Sequence, residues 1–406
     1  MIRYRILLFT FLILAMAVGW NYWLPNAENF YNLVTKANEN RTKDLQNVDF
    51  YAYYNAGSRF SRGVNPYYWE EPPGDRQFSD FLYPPTFLPL YGLLARLDYG
   101  VARLLWLVLY FLCYGAAIAA LYSVIKRELR PIFLGLAFLL SLSSFPLLNH
   151  IHNGQADVFI AAFTVLGLAA YARGWKIPAA VLFALGTVMK VSPIFFLIFF
   201  VIFLRDWRFL AAYLLSLLAF VLISLPFVPV SLYPDYLLHV LPEVSKGTSY
   251  WINQSLLKYI TFSPLLAQLI SATGFLGFAT LTWFLRKRYA GTRNRGVDIQ
   301  APLDKHGFLG IAVFIMNLLV ILIFAGKAWS MAYVWTILPA ALLLTLLLQI
   351  ETRPYFLILV GIGVFLLVSK VYGYPLLDSL NLWGSLLLIG ILTLGLFKKK
   401  TTGLVL

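Results

Sequence analysis

One carboxylate in this chain stands where it could act as a base. Asp49 lies in NVDFYAYYNAG, between Val48 and Phe50 and just ahead of Tyr51, Tyr53 and Tyr54. A carboxylate beside aromatic rings loses part of its hydration, which raises its pKa and its strength as a base. The spacing from Asp49 through Phe60 allows an amphipathic helix on a membrane surface, with Asp49 and Tyr53 on one face at i and i+4. Gly57, Gly63 and Pro66 then interrupt it. The competing role for Asp49 is that of an N-cap on the same helix.

Other polar groups interrupt apolar sequence. Lys190, in ALGTVMKVSPIFF, would either snorkel to an interface or meet an anionic phosphate. The segment NHIHNGQAD carries His150, His152, Asn153, Gln155 and Asp157. Two histidines two apart are a weak metal signature, and the segment is better suited to hydrogen-bonding a polar ligand or the backbone. In SKGTSYWINQSLLKYI, Trp251, Asn253, Gln254 and Ser255 offer an aromatic face with amides and a hydroxyl, a combination that suits sugar rings. A further turn, AGKAWSMAYVW, adds Lys327 and Trp329. There is no Gly-rich phosphate loop or dinucleotide motif, so no nucleotide cofactor is expected. Cys113 is the only cysteine, which leaves neither a disulfide framework nor a cysteine metal site.

The elements that must hold these groups are set by composition. Hydrophobic residues make up 60% of the 406 and charged residues only 12%, about half the charge of a soluble domain. That excludes disorder, a nucleic-acid-binding module and a water-soluble enzyme. Aromatics reach 17%, suited to lipid–water boundaries. Apolar runs at 6–24, 101–125, 131–148, 158–171, 177–189, 194–204, 209–226, 264–285, 308–324, 331–350, 355–368 and 380–397 predict an all-α polytopic membrane protein with about twelve transmembrane helices. The segment 81–97 carries three prolines, each costing about 3 kcal/mol inside a helix. It reads as re-entrant or surface-lying.

Charge orients the chain. With a cytoplasmic N-terminus, the inner side holds Arg3, Arg5, Lys126, Arg127, Arg130, Arg173, Lys176, Arg205, Arg208, the Arg286–Arg288 cluster, Arg293, Arg295, Lys305, Arg353 and the Lys398–Lys400 end, nineteen basic residues against five acidic ones. Their excess of basic residues accounts for the whole net charge of +14. The partner of that charge is therefore the membrane, not nucleic acid. Both termini are expected in the cytoplasm of a plasma-membrane protein, and every candidate above falls on the outer face. The chain reads as one integral membrane domain, with outer loops at 25–100 and 228–263 and a cytoplasmic linker at 290–307. The first run is expected to be an anchor; a signal peptide is the alternative, since Ala15-Met16-Ala17 resembles a cleavage site. A transporter or flippase would also explain many spans, but it would place ionisable groups near the midplane. Here no Asp or Glu falls inside an assigned run, and no internal repeat is apparent.

The run DFYAYYNAG (49–57) with GVNPY (63–67) resembles the first outer loop of the GT-C glycosyltransferases of family GT87, polyprenyl-phosphate-mannose-dependent mannosyltransferases and their relatives. YPP (83–85), NGQAD (153–157), MKVSP (189–193), NQSL (253–256) and WTILP (335–339) follow in the family's order. The resemblance implies a GT-C fold and a polyprenyl-phosphate sugar donor, with a lipid or glycan as acceptor. It implies Asp49 as general base and Lys190 as a contact for the donor phosphate, with Arg59 or Arg62 beside it. Tyr53, Tyr54, His152, Asn153, Gln155, Asp157, Trp251, Asn253, Gln254, Lys327 and Trp329 would surround the substrates. The leaving group is a phosphate monoester of low pKa, so no metal is expected to be required. One departure stands out: relatives place histidines after the late-turn tryptophan, whereas Met331 and Ala332 follow Trp329 and Ser330 here.

Overall fold

A computed structural model describes residues 49–68, 80–250, 253–290, 307–350, 354–370 and 377–398. Trp251, the apolar run at 6–24 and the linker at 291–306 lie outside the described residues. The described chain is helical, and its one β feature is an isolated bridge between Asn253 and Trp329.

Helix α1 is Asp49–Ser61, the helix expected over this stretch. It buries Phe50, Tyr53, Ala56 and Gly57, a spacing that keeps one stripe inward. Asp49 in the first turn and Arg59 in the last complement the helix dipole. A short 3-10 turn at Pro85–Phe87 leads into α2, Leu88–Leu94; at about 1.5 Å per residue it is far shorter than a bilayer core. Next comes α3, Tyr99–Val124, which Asp98 caps by accepting from the Gly100 amide at 2.9 Å.

The run read as one span at 131–148 is broken instead. Helices α4 (Arg130–Ser143) and α5 (Phe145–Asn153) meet at a bend of 60°. Ser144 has extended backbone and its hydroxyl accepts from the Leu147 amide at 3.2 Å, while Pro146 offers no amide to continue α4. Helices α6 (Asp157–Ala172) and α7 (Lys176–Met189) form a tight hairpin. The run at 194–204 is not α-helical either: it winds as a 3-10 turn, Ser192–Phe196, and then as a π segment, Ile198–Phe203. Asn317 repairs the change of winding, accepting from the Phe199 amide at 3.2 Å and donating to the Phe195 carbonyl at 3.3 Å.

The chain continues through α8 (Trp207–Ser224), α9 (Leu232–Asp235), a π segment (Tyr236–Val240) and α10 (Leu241–Ser245). It ends with α11 (Pro264–Ala290), α12 (Phe308–Phe324), α13 (Val334–Leu347), α14 (Pro354–Val368) and α15 (Leu380–Lys398). Among the described residues, five helices are long and apolar enough to cross a membrane: Tyr99–Val124, Trp207–Ser224, Pro264–Tyr289, Ser330–Leu347 and Leu380–Phe397. The bent pair would make a sixth.

Packing sorts the helices into two shells. α6, α12 and α13 are buried around nearly their whole circumference. α3, α8 and α11 instead expose Leu104, Val108 and Leu112, Leu215 and Leu222, and Leu265, Leu269 and Leu276. Apolar surface of that extent is stable against lipid, not water, so the molecule is a multi-pass membrane protein. The polar groups collect at the two ends of the bundle. At one end Asn65 donates to Asp235 at 2.9 Å, Asn149 to Ser330 at 3.3 Å and Gln254 to the Asp378 carbonyl at 2.6 Å. At the other, Tyr171 and Lys176 hold Asp206, and Arg288 and Tyr289 reach the carbonyls of Phe397 and Leu396.

Candidate functional site

The site is built around the turn that follows α5. Gly154 ends that helix at φ +68°, a left-handed conformation that favours glycine. A side chain there would also collide with the Arg103 guanidinium. The backbone groups around the turn are taken by side chains of α1, α3 and α5 itself. Arg103 Nη2 donates to the carbonyls of Ile151 and His152, both at 2.8 Å, and Trp106 Nε1 donates to that of Gly154 at 2.8 Å. The Ala156 amide donates to the Tyr53 hydroxyl at 3.1 Å, and the Val158 amide to His150 Nε2 at 2.9 Å. With its ends fastened in this way, the turn delivers Asp157 to the first residue of α6.

Asp157 is buried and holds Lys190, the residue at which α7 ends, with Nζ at 2.9 and 3.1 Å from its two carboxylate oxygens. The Lys190 side chain keeps 21% exposure against 1% for Asp157, so the ammonium has one face on the carboxylate and another open. Nζ also lies 5.7 Å from the centre of the Trp335 ring, a favourable cation–π placement.

The open face of Lys190 borders a cavity of about 650 Å³. Its walls are mostly apolar: Tyr83, Phe195, Tyr236, Leu241, Phe275 and Phe324 contribute, with Ser192, Ser245, Gln268 and Ser271 as small polar groups. Lys327 supplies a second amine and Trp329 an aromatic edge. Burial holds the Lys327 amine below the ordinary lysine range, opposed by the nearby carboxylates of Glu243 and Asp80. No carboxylate is among the described residues that line it, though Asp157 holds Lys190 from behind. One wall belongs to α11, which turns Ser271 and Phe275 to the cavity and Leu265, Leu269 and Leu276 outward. Phe195 and Phe275 stack face to face across the wall, with centroids 3.8 Å apart and planes within 8°. At the rim, Gly326 lies so close to the Val244 and Ser245 backbone that an added Cβ would come within 2.4 Å of it.

Asp49 is half-buried at the start of α1 and does not line the cavity. Its charge acts on Tyr53 and Tyr83, and burial together with that charge keeps both phenols well above their ordinary pKa. Tyr83 alone belongs both to this group and to the cavity wall.

The structure therefore brings Lys190, Asp157, Lys327 and Trp329 together and leaves the other expected residues in different surroundings. Tyr53 has no exposed surface; its ring lies among Tyr83, Tyr91 and Trp106. Tyr54 donates to the Leu97 carbonyl at 2.8 Å. Arg59 is engaged by the carbonyls of Asn65 and Tyr68 in the turn after α1, and exposed Arg62 points back to the Ser58 carbonyl, so neither reaches the cavity. His152 is exposed whereas His150 is buried against Tyr110, so the two rings do not face a common point. Asn153 donates to Asn149 within its own helix, and Gln155 is buried. Asn253 donates to the carbonyls of Thr248 and Gly326 and accepts from the amides of Ala328 and Ser255, pinning the two late turns together. Gln254 continues that strap, to Ala328 and Asp378.

Two residues that position the site were missed from sequence. Arg103, 3% exposed, was a charge inside an apolar run, and that anomaly was its signal. Tyr83 stood in view within YPP and was read only as part of a motif.

The profile of glycosyltransferase family 87 matches residues 81–301. That range takes in Tyr83–Pro85, Asn153–Asp157, Met189–Pro193 and Asn253–Leu256, and leaves out Asp49 and Lys327–Trp329. No curated protein and no solved structure matches the chain. With more than half of the 406 residues inside the matched range, the chain belongs to glycosyltransferase family 87 and is a membrane-embedded glycosyltransferase.

Proposed function

We propose that the protein is an inverting glycosyltransferase of the GT-C type. It moves a sugar, with mannose the first candidate, from a polyprenyl-phosphate donor to a lipid or glycan acceptor on the outer face of the membrane. The observation that carries this reading is the cavity: apolar walls bounded by a lipid-facing helix, two lysine amines and, among the described residues, no lining carboxylate. Those are the demands of an amphiphile with one anionic head. Outside the plasma membrane there is no pool of nucleotide sugars, so the sugar must arrive on lipid.

In this reading the prenyl chain lies against Phe195, Phe275 and Phe324 and the phosphate sits by Lys190 and Lys327. The acceptor oxygen attacks the anomeric carbon from the face opposite the phosphate, and that carbon's bond to the phosphate oxygen breaks as the new bond forms. Asp49 takes the hydroxyl proton. The ammonium groups stabilise charge gathering on the departing prenyl phosphate. Asp157 has a supporting part: it fixes Lys190 while leaving one face of the ammonium for the donor. No metal is needed for such a leaving group. The twelve crossings expected from the apolar runs, with 81–97 lying at the outer surface, put every one of these groups on one side.

The test is transfer by purified protein supplied with polyprenyl-phosphate sugars and a membrane extract. Asp49→Asn should abolish product while leaving the melting temperature unchanged; near wild-type turnover would remove Asp49 from the role of base. Transfer should persist in excess chelator. Loss that a divalent ion restores would reverse the metal-free mechanism.

A further inference from the structure

Helix α11 divides its surface by the helical period. Gln268, Ser271, Ala272 and Phe275 line the cavity at i, i+3, i+4 and i+7, whereas Leu265, Leu269 and Leu276 are exposed on the other side. The cavity face changes character along the helix. Gln268 and Ser271 stand nearer its N-terminus and Ala272 and Phe275 follow. At about 1.5 Å per residue, Phe275 lies roughly 10 Å farther along the axis than Gln268. One wall is thus polar at one end and apolar at the other.

The polar groups differ in what they have left to offer. Ser271 donates to the Phe324 carbonyl at 2.8 Å and Ser245 to the Pro242 carbonyl at 2.7 Å, so both protons are consumed within the wall. Gln268 is exposed, and among the described residues no group bonds to its amide. It is also the one side-chain amide among the described residues that line the cavity. On a membrane helix such a group is costly unless water, a partner or a ligand meets it. A carboxamide both donates and accepts hydrogen bonds, as a sugar hydroxyl does and a prenyl chain does not.

We propose that the Gln268 carboxamide hydrogen-bonds a hydroxyl of the sugar on the lipid-linked donor, and so reads the sugar, not the phosphate or the chain. The inference rests on the donor reading given above. The three parts of the donor then match three parts of one cavity. The phosphate meets Lys190 and Lys327, the chain meets Phe195 and Phe275, and the sugar lies at the polar end of the α11 wall. The sugar is bonded directly to the phosphate that the two amines hold, so it must share their cavity. An acceptor has no such tie to the position of Gln268.

The experiment uses full-length protein in detergent. Farnesyl phosphate and mannosyl farnesyl phosphate are titrated calorimetrically into wild type, Gln268→Leu, Gln268→Met and Lys190→Ala, and transfer is measured from the mannosyl donor. Gln268→Leu should bind farnesyl phosphate as wild type does. It should bind mannosyl farnesyl phosphate about 2- to 10-fold more weakly, the range for one neutral hydrogen bond. Donor KM should rise by the same factor, with acceptor KM unchanged. One monodeoxy analogue of the mannosyl donor should show that loss on wild type and no further loss on Gln268→Leu, because removing either partner deletes the same bond. Gln268→Met keeps the length of the side chain without its amide, and carries the test if Gln268→Leu does not fold. Equal weakening of both ligands, wild-type binding of both, or a rise confined to acceptor KM would each overturn the sugar contact and spare the donor reading. Failure of wild type to bind farnesyl phosphate any better than Lys190→Ala would remove the donor reading itself, and this inference with it.

Discussion

At the scale of single residues, the lesson lies in which donors are already engaged. Arg59 and Arg62 follow the candidate base closely in sequence and so looked ready for a phosphate, yet Arg59 is taken by the carbonyls of its own turn. Asn253 and Gln254 looked equally suited to a sugar and instead join backbone to backbone. Sequence shows which polar groups lie near a site but not which are consumed locally. Lys190, Asp157, Lys327 and Trp329 were legible because a charge or indole in apolar surroundings has few other uses. Lys327 yields a pH prediction. Its amine is held below the ordinary lysine range by burial, so it loses its proton, and the cavity one positive charge, at a lower pH than an exposed lysine would. Donor KM should therefore rise on the alkaline side, and Lys327→Arg, charged at all working pH, should move that rise upward. An alkaline limb unchanged in Lys327→Arg would assign it to another group.

At the scale of elements, the apolar runs located the helices but not their winding. Hydrophobic periodicity cannot tell one span from two pieces joined at Ser144, nor an α-helix from the 3-10 and π windings between Ser192 and Phe203. In both places a proline sits near the break, at Pro146 and Pro193, and a polar side chain repairs the backbone. The repair at the second is Asn317, fully buried in an otherwise apolar helix. Asn317→Leu would leave the Phe199 amide without its partner and the Phe195 carbonyl with only the Leu197 amide, and should cost about 1–3 kcal/mol. Thermal melting in detergent reads this, and a melting temperature equal to wild type would mean that the irregular winding does not depend on Asn317. Because the irregular segment forms one cavity wall, donor KM should rise in the same variant.

At the scale of the whole molecule, the charge pattern anticipated the folded arrangement. Residues that sequence put on one side of the membrane meet one another: Lys176 with Asp206 at one end, Lys190 with Asp157 and Asn65 with Asp235 at the other. Which end faces the cytoplasm can be checked by labelling. In a Cys113→Ala background, Glu243→Cys should react with an impermeant maleimide added to intact cells, and Arg173→Cys should react only after lysis. The reverse pattern would invert the proposed orientation. What sequence could not show at this scale is that segments at one end of the bundle close on each other to line one cavity, since that depends on contacts between residues far apart in the chain.

The narrow approach of Gly326 to the Val244–Ser245 backbone, at the end of α10, has a consequence for how the pocket could be probed or altered. A lone methyl group added there would pry that turn away from the helix end and shift the neighbouring ammonium while leaving every ionisable group intact. Position 326 is thus a mechanical handle: it allows the placement of a cation to be varied separately from its presence.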